Sequence, residues 1–558
     1  MSRLNRQISR RDFLRLISLT AGGSILAACA PQATPAPTVQ PVSAPTQSAP
    51  TQPPPTAAAA PTAMPPTATA APAAAAQGPQ ILRVASGADL TNMDPAYFFD
   101  MGDYYMFGSV MSGLVRFAPE SYEIVNDLAD SIQTSEDGKT ITFALKKGVK
   151  WQRDFGEVTA ADVKFSYERI ADPANKSPYQ GDWASLDHVE VVDDYTGKIV
   201  MKEPFAPLWT STLPGSSGLV VCKKYFNEAG KDKFAIDPLG CGPYIFSEWK
   251  PQDRVILKRN PDYYGKAGFD EIDFIYVPDE NARQVALDAK ELDFSSVVQE
   301  GFKRYADNPD WKTAALNGLD FTWIGMNVEN PKLSDINVRH AIRYALDVPS
   351  ILVANGDDPA AQAFCMLAPG LLGSWTDAPH YQRDVTKAKD YMAKAGLKSL
   401  DLTITVPVAA GGGSPIGEVA QQNLKDIGIN ATIKVLDMTA YQTVTQGEQG
   451  KQLELFWEYY SMQPDPTWAT MWFTCEQIGQ WNAMRWCSKE YDDLNTQGLG
   501  EMDKTKRAQI YIKMQQLFDV ECHAVWLSYN RAYYAYSPTL KPVMTPNGNP
   551  QLWYFEPA

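Results

Sequence analysis

Long apolar runs, a basic excess and clustered histidines are all missing from this chain. No segment after residue 30 reaches the roughly 18 uninterrupted apolar residues that a membrane-spanning helix needs. Acidic residues (65) outnumber basic ones (50), so no cationic surplus exists to neutralise nucleic-acid phosphates. The 4 histidines are scattered, without the spacing of a shared metal site: His188, His340, His380 and His523. We therefore expect no internal membrane span, no nucleic-acid partner, no bound metal and no cofactor.

Sequence signatures of common enzymes are missing as well. The chain contains neither the Gly-x-Ser-x-Gly turn of serine hydrolases nor the His-Glu-x-x-His helix of zinc proteases. The glycine run that precedes Ser414 lacks the lysine of a phosphate-binding loop, so it is interpreted as a flexible turn. A binding protein without catalysis is favoured, and a secreted hydrolase with an uncharacterised site is the alternative.

The first 29 residues have the pattern of an export signal. Arg10-Arg11-Asp12-Phe13-Leu14 precedes a short apolar segment, and Leu26-Ala27-Ala28-Cys29 follows it. The paired arginines resemble a twin-arginine signal, although general secretory export stays open. The last four residues resemble the lipobox of bacterial lipoproteins. They predict lipid attachment at Cys29 and an extracytoplasmic location, either in the periplasm or on the outer face of the cell membrane.

Residues 30–80 are rich in proline, alanine and threonine. This segment has no aromatic or charged residue, so it cannot bury enough apolar surface to offset its ordering entropy. We interpret it as a disordered stalk, stiffened by proline, between the membrane and a folded part that begins near residue 81.

Cysteine usage suggests disulfides in the folded part. Of the 7 cysteines, Cys29 is assigned to lipid, and the even remainder in an exported protein favours pairing. Two pairings are short-range, Cys222 with Cys241 and Cys475 with Cys487. The remaining two thiols are then either free or joined across the fold, since spacing alone does not determine connectivity.

The folded part alternates strand-like and helix-like segments, which indicates an α/β fold with mixed sheets. Thr159 has the position of a helix N-cap, with Asp162 at the third helical position. Strands are predicted at 81–85, 140–145, 401–406, 431–436 and 453–459. Further helices are predicted at 338–347, 385–395, 416–427 and 504–522.

Several blocks, in order, carry a resemblance to a known family. They include the run from Asp137 to Trp151, the segment Gly240-Cys241-Gly242-Pro243-Tyr244, and the helix motif at 338–347. From about residue 81 onward the chain resembles the family 5 extracellular solute-binding proteins, the oligopeptide-, dipeptide- and nickel-binding receptors of ABC importers.

The resemblance implies a two-lobed periplasmic-binding-protein-like fold of class II (cluster C type) with an additional domain. Lobe I is assigned to 81–118, 203–320 and 528–558, the additional small domain to 119–202, and lobe II to 321–527. It also implies a monomer that captures a small solute between the lobes and passes it to ABC permease subunits. The solute is expected to be a peptide, with an oligosaccharide as the alternative.

Candidate ligand contacts follow from the same resemblance. Peptide-binding relatives place a tyrosine at the cleft in a Ser-Pro-Tyr loop, which corresponds to Tyr179 here. Tyr97 and Phe99 follow the Asp-Pro block that lines the cleft in relatives. These rings are equally compatible with a place in the core.

A second group of candidate ligand contacts consists of Asp465, from an Asp-Pro pair, and the residues that precede it. Trp457, Tyr459 and Tyr460 are expected to offer rings to a ligand, as sugar-binding sites also do. Peptide-binding relatives carry an aspartate for the ligand ammonium at the position of Met462. A thioether cannot pair with an ammonium group, so Met462 predicts that free-amine peptides are disfavoured, unless the nearby Glu458 supplies the carboxylate.

Overall fold

A computed structural model describes residues 79–97, 101–408 and 413–558. The predicted signal with Cys29, nearly all of the predicted stalk, and Phe99 lie outside the described residues. Within the described ranges, no helix has both the length and the apolar character needed to cross a membrane.

Strands occur along the whole length of the described chain. In chain order these are β1 (Ile81–Ser86), β2 (Ser112–Gly113), β3 (Val115–Phe117), β4 (Ile124–Asn126), β5 (Ala129–Thr134), β6 (Thr140–Leu145), β7 (Leu186–Val191), β8 (Thr196–Met201), β9 (Leu219–Val220), β10 (Tyr244–Lys250), β11 (Arg254–Arg259), β12 (Glu271–Tyr276), β13 (Phe294–Ser296), β14 (Lys312–Met326), β15 (Leu400–Pro407), β16 (Ile429–Leu436), β17 (Leu455–Tyr460), β18 (Ala524–Tyr536), β19 (Leu540–Lys541) and β20 (Glu556–Pro557).

Helices alternate with these strands in the second half of the chain. The α-helices of the described residues are α1 (Met101–Val110), α2 (Ala160–Ala171), α3 (Lys223–Ala229), α4 (Lys231–Phe234), α5 (Glu280–Asp288), α6 (Gln299–Ala306), α7 (Ile336–Ala345), α8 (Val348–Asn355), α9 (Val385–Lys394), α10 (Pro415–Lys425), α11 (Met438–Thr445), α12 (Thr467–Thr470), α13 (Lys489–Gly500) and α14 (Lys504–Val520).

One ten-stranded mixed sheet runs through the structure in the order β10-β11-β12-β1-β13-β18-β14-β17-β15-β16. β1 is parallel to β12 and β13, and β15 is parallel to β16 and β17, whereas β14 and β18 are antiparallel to each other. A separate four-stranded sheet has the order β5-β6-β8-β7. This mixed α/β architecture agrees with the predicted fold class.

The long strands β14 and β18 pair with each other along both halves, and each has a second neighbouring strand over one half only. Residues 312–317 of β14 pair with 531–536 of β18, whose last residues also pair with β13. After a register break between Asn317 and Phe321, β14 pairs with the first half of β18 and with β17. We call residues 79–317 and 531–558 the first lobe, and residues 321–529 the second lobe. The two antiparallel strands therefore connect the lobes through an irregular segment.

Strand alternation gives the second lobe a core on each face of its sheet, because successive side chains point to opposite faces. Phe456 and Trp526 pack on the face covered by α13 and α14. Leu455 and Val525 pack on the opposite face with α7–α10. Buried on both faces, these strands read as apolar runs in the sequence.

The first lobe has a core that extends into the predicted additional domain. Leu82 of β1, Phe143 of β6 and Ile199 of β8 belong to one continuous buried cluster. The segment 119–202 has its own sheet but shares its apolar interior with the remainder of the lobe. The predicted limits 320/321 and 527/528 fall inside β14 and β18 rather than in linkers, and the domain boundaries stay predictions.

Local predictions agree with the structure where their cause is local. Thr159 caps α2, and the side chain of Asp162 accepts the Thr159 backbone N–H at 2.9 Å, which completes a capping box. The predicted strand 140–145 is β6, and the predicted helix 504–522 corresponds to α14, which ends two residues earlier.

Of the two predicted disulfides, one is present in the structure and the other is not. Cys475 and Cys487 form a disulfide. Pairing of Cys222 with Cys241 is wrong, because both are free thiols buried in the first-lobe core. Sγ of Cys222 accepts the backbone N–H of Tyr225 at 3.5 Å as the N-cap of α3, and burial raises the pKa of this thiol to about 11. Burial also raises the pKa of Cys241, so both thiols remain protonated at neutral pH.

Candidate functional site

The Asp-Pro block of the first lobe is held by a buried ion pair. Both carboxylate oxygens of Asp94 accept hydrogen bonds from the guanidinium of Arg169 on α2, at 2.6 and 2.8 Å. The guanidinium also lies over the ring of Phe226, 4.6 Å from its centroid. Such a two-point contact fixes direction as well as distance. Asp94 therefore orients the segment that carries Tyr97 instead of facing a ligand itself.

The structure brings the predicted tyrosines Tyr97 and Tyr179 into neighbouring loops. The hydroxyl of Tyr97 donates to the main-chain oxygen of Asn175 at 2.7 Å, and Ser177 donates to the oxygen of Ala96 at 2.8 Å. Both tyrosine rings are partly buried and pack against the first-lobe core. The Nζ of Lys231 lies 3.7 Å from the centroid of the Tyr97 ring. These two rings remain candidate contacts of the first lobe.

Trp457 and Tyr459 form the corresponding aromatic pair of the second lobe. They occupy alternate positions of β17, so both project from the same face, and their rings are nearly parallel with centroids 6.4 Å apart. Trp457 packs partly against the core, whereas Tyr459 keeps 42% of its surface exposed. An exposed aromatic side chain on a central strand is a candidate contact surface.

Tyr460 points to the other face of β17 and is buried in the second-lobe core. It is 7% exposed, its hydroxyl donates to the main-chain oxygen of Trp481, and its ring packs edge-on against Trp323. The one-residue offset from Tyr459 decides this, because neighbouring strand residues face opposite ways. The predicted contact at Tyr460 therefore lacks the exposed ring that Tyr459 has, and it stays a prediction.

Asp465, the other predicted ligand contact in this region, is engaged by protein groups. It is fully buried, and its two oxygens accept hydrogen bonds from the guanidinium of Arg507 at 2.7 and 2.9 Å. Thr210 of the first lobe donates to the same carboxylate, and the backbone N–H of Thr467 does so at 2.9 Å. Burial acts to raise the pKa of Asp465, but Arg507 holds it below its ordinary value. Asp465 is thus a structural anchor that also contacts the other lobe.

Met462 lies beside a residue that the sequence patterns did not single out. Its side chain packs against the second-lobe core, and its backbone N–H donates to Oδ1 of Asp320 at 3.2 Å. Asp320 is part of the irregular segment of β14 between the two lobes. The sequence signal for this irregular segment is the interruption of an apolar strand by Gly318 and Asp320, since glycine within a strand often marks a bulge.

A metal ion needs several acidic, cysteine or histidine side chains grouped around it. Within the ranges that the structure describes, no group of three or more histidine, cysteine, aspartate or glutamate side chains has the arrangement to hold an ion. His523 is buried between Phe518 and Trp486, and burial lowers its pKa well below the ordinary value. This histidine belongs to the aromatic core of the second lobe.

Two lobes joined by a pair of crossing strands, each lobe carrying aromatic side chains, define the class of two-domain binding proteins that close around a ligand. Residues 123–480 match the family model described as bacterial extracellular solute-binding proteins, family 5 Middle, and the chain belongs to this family. The resemblance inferred from the sequence blocks is thereby confirmed.

Individual relatives agree with this assignment. The dipeptide-binding protein of Escherichia coli is 26% identical over 468 residues, which are 78% of this chain and 86% of that protein. The substrate-binding protein CtaP of Listeria monocytogenes has a TM-score of 0.77 at 25% identity, covering 86% of this chain and all of CtaP. The binding protein DppA of Helicobacter pylori, in complex with the peptide STSA, has a TM-score of 0.69 at 25% identity, and the match covers 86% of this chain and 98% of DppA.

Proposed function

We propose that this protein captures a peptide or similar small polar solute between its lobes and passes it unchanged to an ABC permease. Family membership and the names of the relatives support a peptide over an oligosaccharide. The observation that carries the proposal is the pair of aromatic groups, Tyr97 with Tyr179 and Trp457 with Tyr459. They stand on separate buried cores, and β14 and β18 join the two lobes in one sheet.

The mechanism of capture is hinge closure. A solute that contacts both aromatic groups stabilises the arrangement in which the lobes approach, because it binds that arrangement more tightly. The irregular segment of β14 is a place where backbone angles can change without breaking a regular hydrogen-bond ladder. No step of this cycle requires bond formation or cleavage, which agrees with the absence of catalytic signatures in the sequence.

The N-terminal segments extend this proposal to the membrane. A lipid on Cys29 and a proline-rich stalk over 30–80 would keep the receptor close to its permease while leaving it free to turn. This part of the proposal is supported by the lipobox and by composition. Mass measurement of the protein extracted from membranes tests it, and Cys29→Ser should release the protein from the membrane fraction.

The function is tested with a defined mixture of di- and tripeptides. We expect X-ray scattering to show a smaller radius of gyration with peptides than without, and thermal unfolding to shift upward by mass action. Mass spectrometry of the released ligand should recover the peptides intact. Cleaved peptides would contradict the receptor mechanism, and an unchanged radius together with an unchanged melting temperature would contradict peptide binding.

A matched pair of variants locates the binding surface. Tyr459→Ala should reduce the peptide-induced thermal shift, since it removes the exposed ring of the second lobe. Tyr195→Ala is the control, because Tyr195 lies on the four-stranded side of the first lobe and bonds Glu157 at 2.6 Å. Equal shifts in the two variants would contradict the assignment of Tyr459.

A further inference from the structure

Asp320 occupies the point where β14 passes from one lobe to the other. The regular register of β14 with β18 ends at Asn317 and resumes at Phe321. Phe321 also starts the pairing with β17, opposite Tyr460. The carboxylate of Asp320 therefore lies at the connection between the lobes, next to the segment that follows β17.

Among the described residues, two neutral groups donate hydrogen bonds to this carboxylate. Oδ1 of Asp320 accepts the hydroxyl of Ser461 at 2.8 Å and the backbone N–H of Met462 at 3.2 Å. Both donors converge on the same oxygen, and they hold the side chain in one orientation. Among the described residues, no other group donates a hydrogen bond to Oδ2. This oxygen can therefore accept a further donor.

Asp320 has no cationic partner among the described residues. No lysine, arginine or histidine forms an ion pair with it there, and no positive charge contributes to its pKa, which burial raises above the ordinary value. The arginine opposite Asn317, Arg531, is bonded to Asp358 at 2.8 Å. A partly buried carboxylate without a counter-charge is costly, since burial of a charge is normally offset by a paired cation.

One ring of the aromatic pair of the second lobe, that of Tyr459, lies near the same carboxylate. Tyr459 lies two residues before Ser461 in the sequence, and its pKa is raised by burial and by the negative charge of Asp320. Trp457 lies parallel to Tyr459 on β17. Aromatic faces attract cations, and a carboxylate next to them supplies both charge and hydrogen-bond acceptors.

We propose that Asp320 binds the ammonium group of the solute, with Oδ2 as acceptor and the rings of Tyr459 and Trp457 beside it. The solute class is therefore a small molecule with a protonated primary amine, such as a peptide with a free N-terminus. This inference rests on the proposed function and deepens it. It also reverses the expectation drawn from Met462, because the carboxylate comes from β14 instead of from position 462.

The first test compares two probes on the unchanged protein. A defined tripeptide mixture and the same mixture after N-acetylation are each incubated with the protein, and the bound fraction is measured by native mass spectrometry and calorimetry. Acetylation removes the positive charge and leaves the remainder of each peptide in place. We expect a loss of affinity of roughly ten- to a hundredfold, as for one hydrogen bond to a charged group.

The second test changes the carboxylate. Asp320→Asn keeps the shape and the acceptor for Ser461 but removes the charge, so it should lower affinity for the free-amine mixture by a similar factor. It should leave affinity for the acetylated mixture nearly unchanged. Glu458→Gln is the matched control, as it removes a carboxylate of β17 that lies on the opposite face from Tyr459.

The outcomes separate the two proposals. Equal binding of free and acetylated peptides would overturn the role of Asp320 while leaving a peptide receptor intact. Loss of amine preference in Glu458→Gln but not in Asp320→Asn would also overturn it. If neither mixture binds, the proposed peptide function fails and this inference fails with it. Selective loss in Asp320→Asn alone would support the assignment.

Discussion

The buried pair of Asp465 and Arg507 offers a quantitative test of how the second lobe is held together. The two side chains are 0% and 3% exposed, and two parallel hydrogen bonds join them. Replacing one partner leaves the other charge buried without compensation. Such losses cost about 3–5 kcal/mol in proteins. We therefore expect Arg507→Met to lower the free energy of unfolding by about this amount.

Lys513 provides a control on the same helix. It pairs with Glu490 at 2.5 Å, but both side chains are 53% exposed. Exposed pairs contribute about 0–1 kcal/mol, so Lys513→Met should have little effect on stability. Urea unfolding followed by fluorescence of the 14 tryptophans measures both variants. Equal costs for Arg507→Met and Lys513→Met would refute the argument from burial.

A double-mutant cycle isolates the interaction itself. With Asp465→Asn added to Arg507→Met, no unpaired charge remains, and the combined cost should fall short of the sum by about 1–3 kcal/mol. The direction in which the stability contribution of this pair changes with pH also follows. Because Arg507 holds the pKa of Asp465 below its unfolded value, the contribution is present above about pH 4 and is lost as pH falls further. Additive costs would contradict direct coupling.

Three further predictions concern other positions. Burial raises the pKa of Asp182 to about 6, so the charge on this carboxylate opposes folding as the pH rises. The free energy of unfolding of Asp182→Asn, relative to that of the parent protein, should therefore increase by about 3 kcal/mol between pH 4 and pH 8. A difference that does not change with pH would refute this. In Gly318→Ala the new methyl would collide with the main-chain oxygen of Asn530 on β18, so thermal unfolding should show a loss of stability of about 1–3 kcal/mol. Gly181→Ala is the control, because a methyl at that position meets nothing within 4 Å. Replacing Cys475 and Cys487 together with serine should lower the free energy of unfolding by about 3 kcal/mol in urea, because the unfolded chain loses a closed loop, and an unchanged midpoint would contradict this.

Features with local causes could be predicted before the structure was known. The capping box of Thr159 and Asp162 depends on residues three positions apart, and β6 shows the alternation of a strand with one buried face. The disulfide between Cys475 and Cys487 closes a short loop, so proximity in sequence was informative. The same reasoning failed for Cys222, whose thiol instead caps a helix.

The candidate site was predicted only in part for a related reason. Aromatic residues of β17 were recognised, but strand register decides which of them reach the surface, and register depends on the pairing of β14 with β17 and β18. The Asp-Pro pair of the second lobe was recognised as well. Its carboxylate is buried by Arg507, 42 residues further along the chain.

The sequence by itself determined the α/β class, the family and the export pattern at the N-terminus, since these depend on composition, periodicity and ordered blocks. The tertiary structure alone decided which carboxylate lies near position 462. Asp320 reaches Ser461 across 141 residues of chain, through a break in the register of two long strands. No local pattern encodes such a contact, because it results from how two distant strands pair and where that pairing is interrupted.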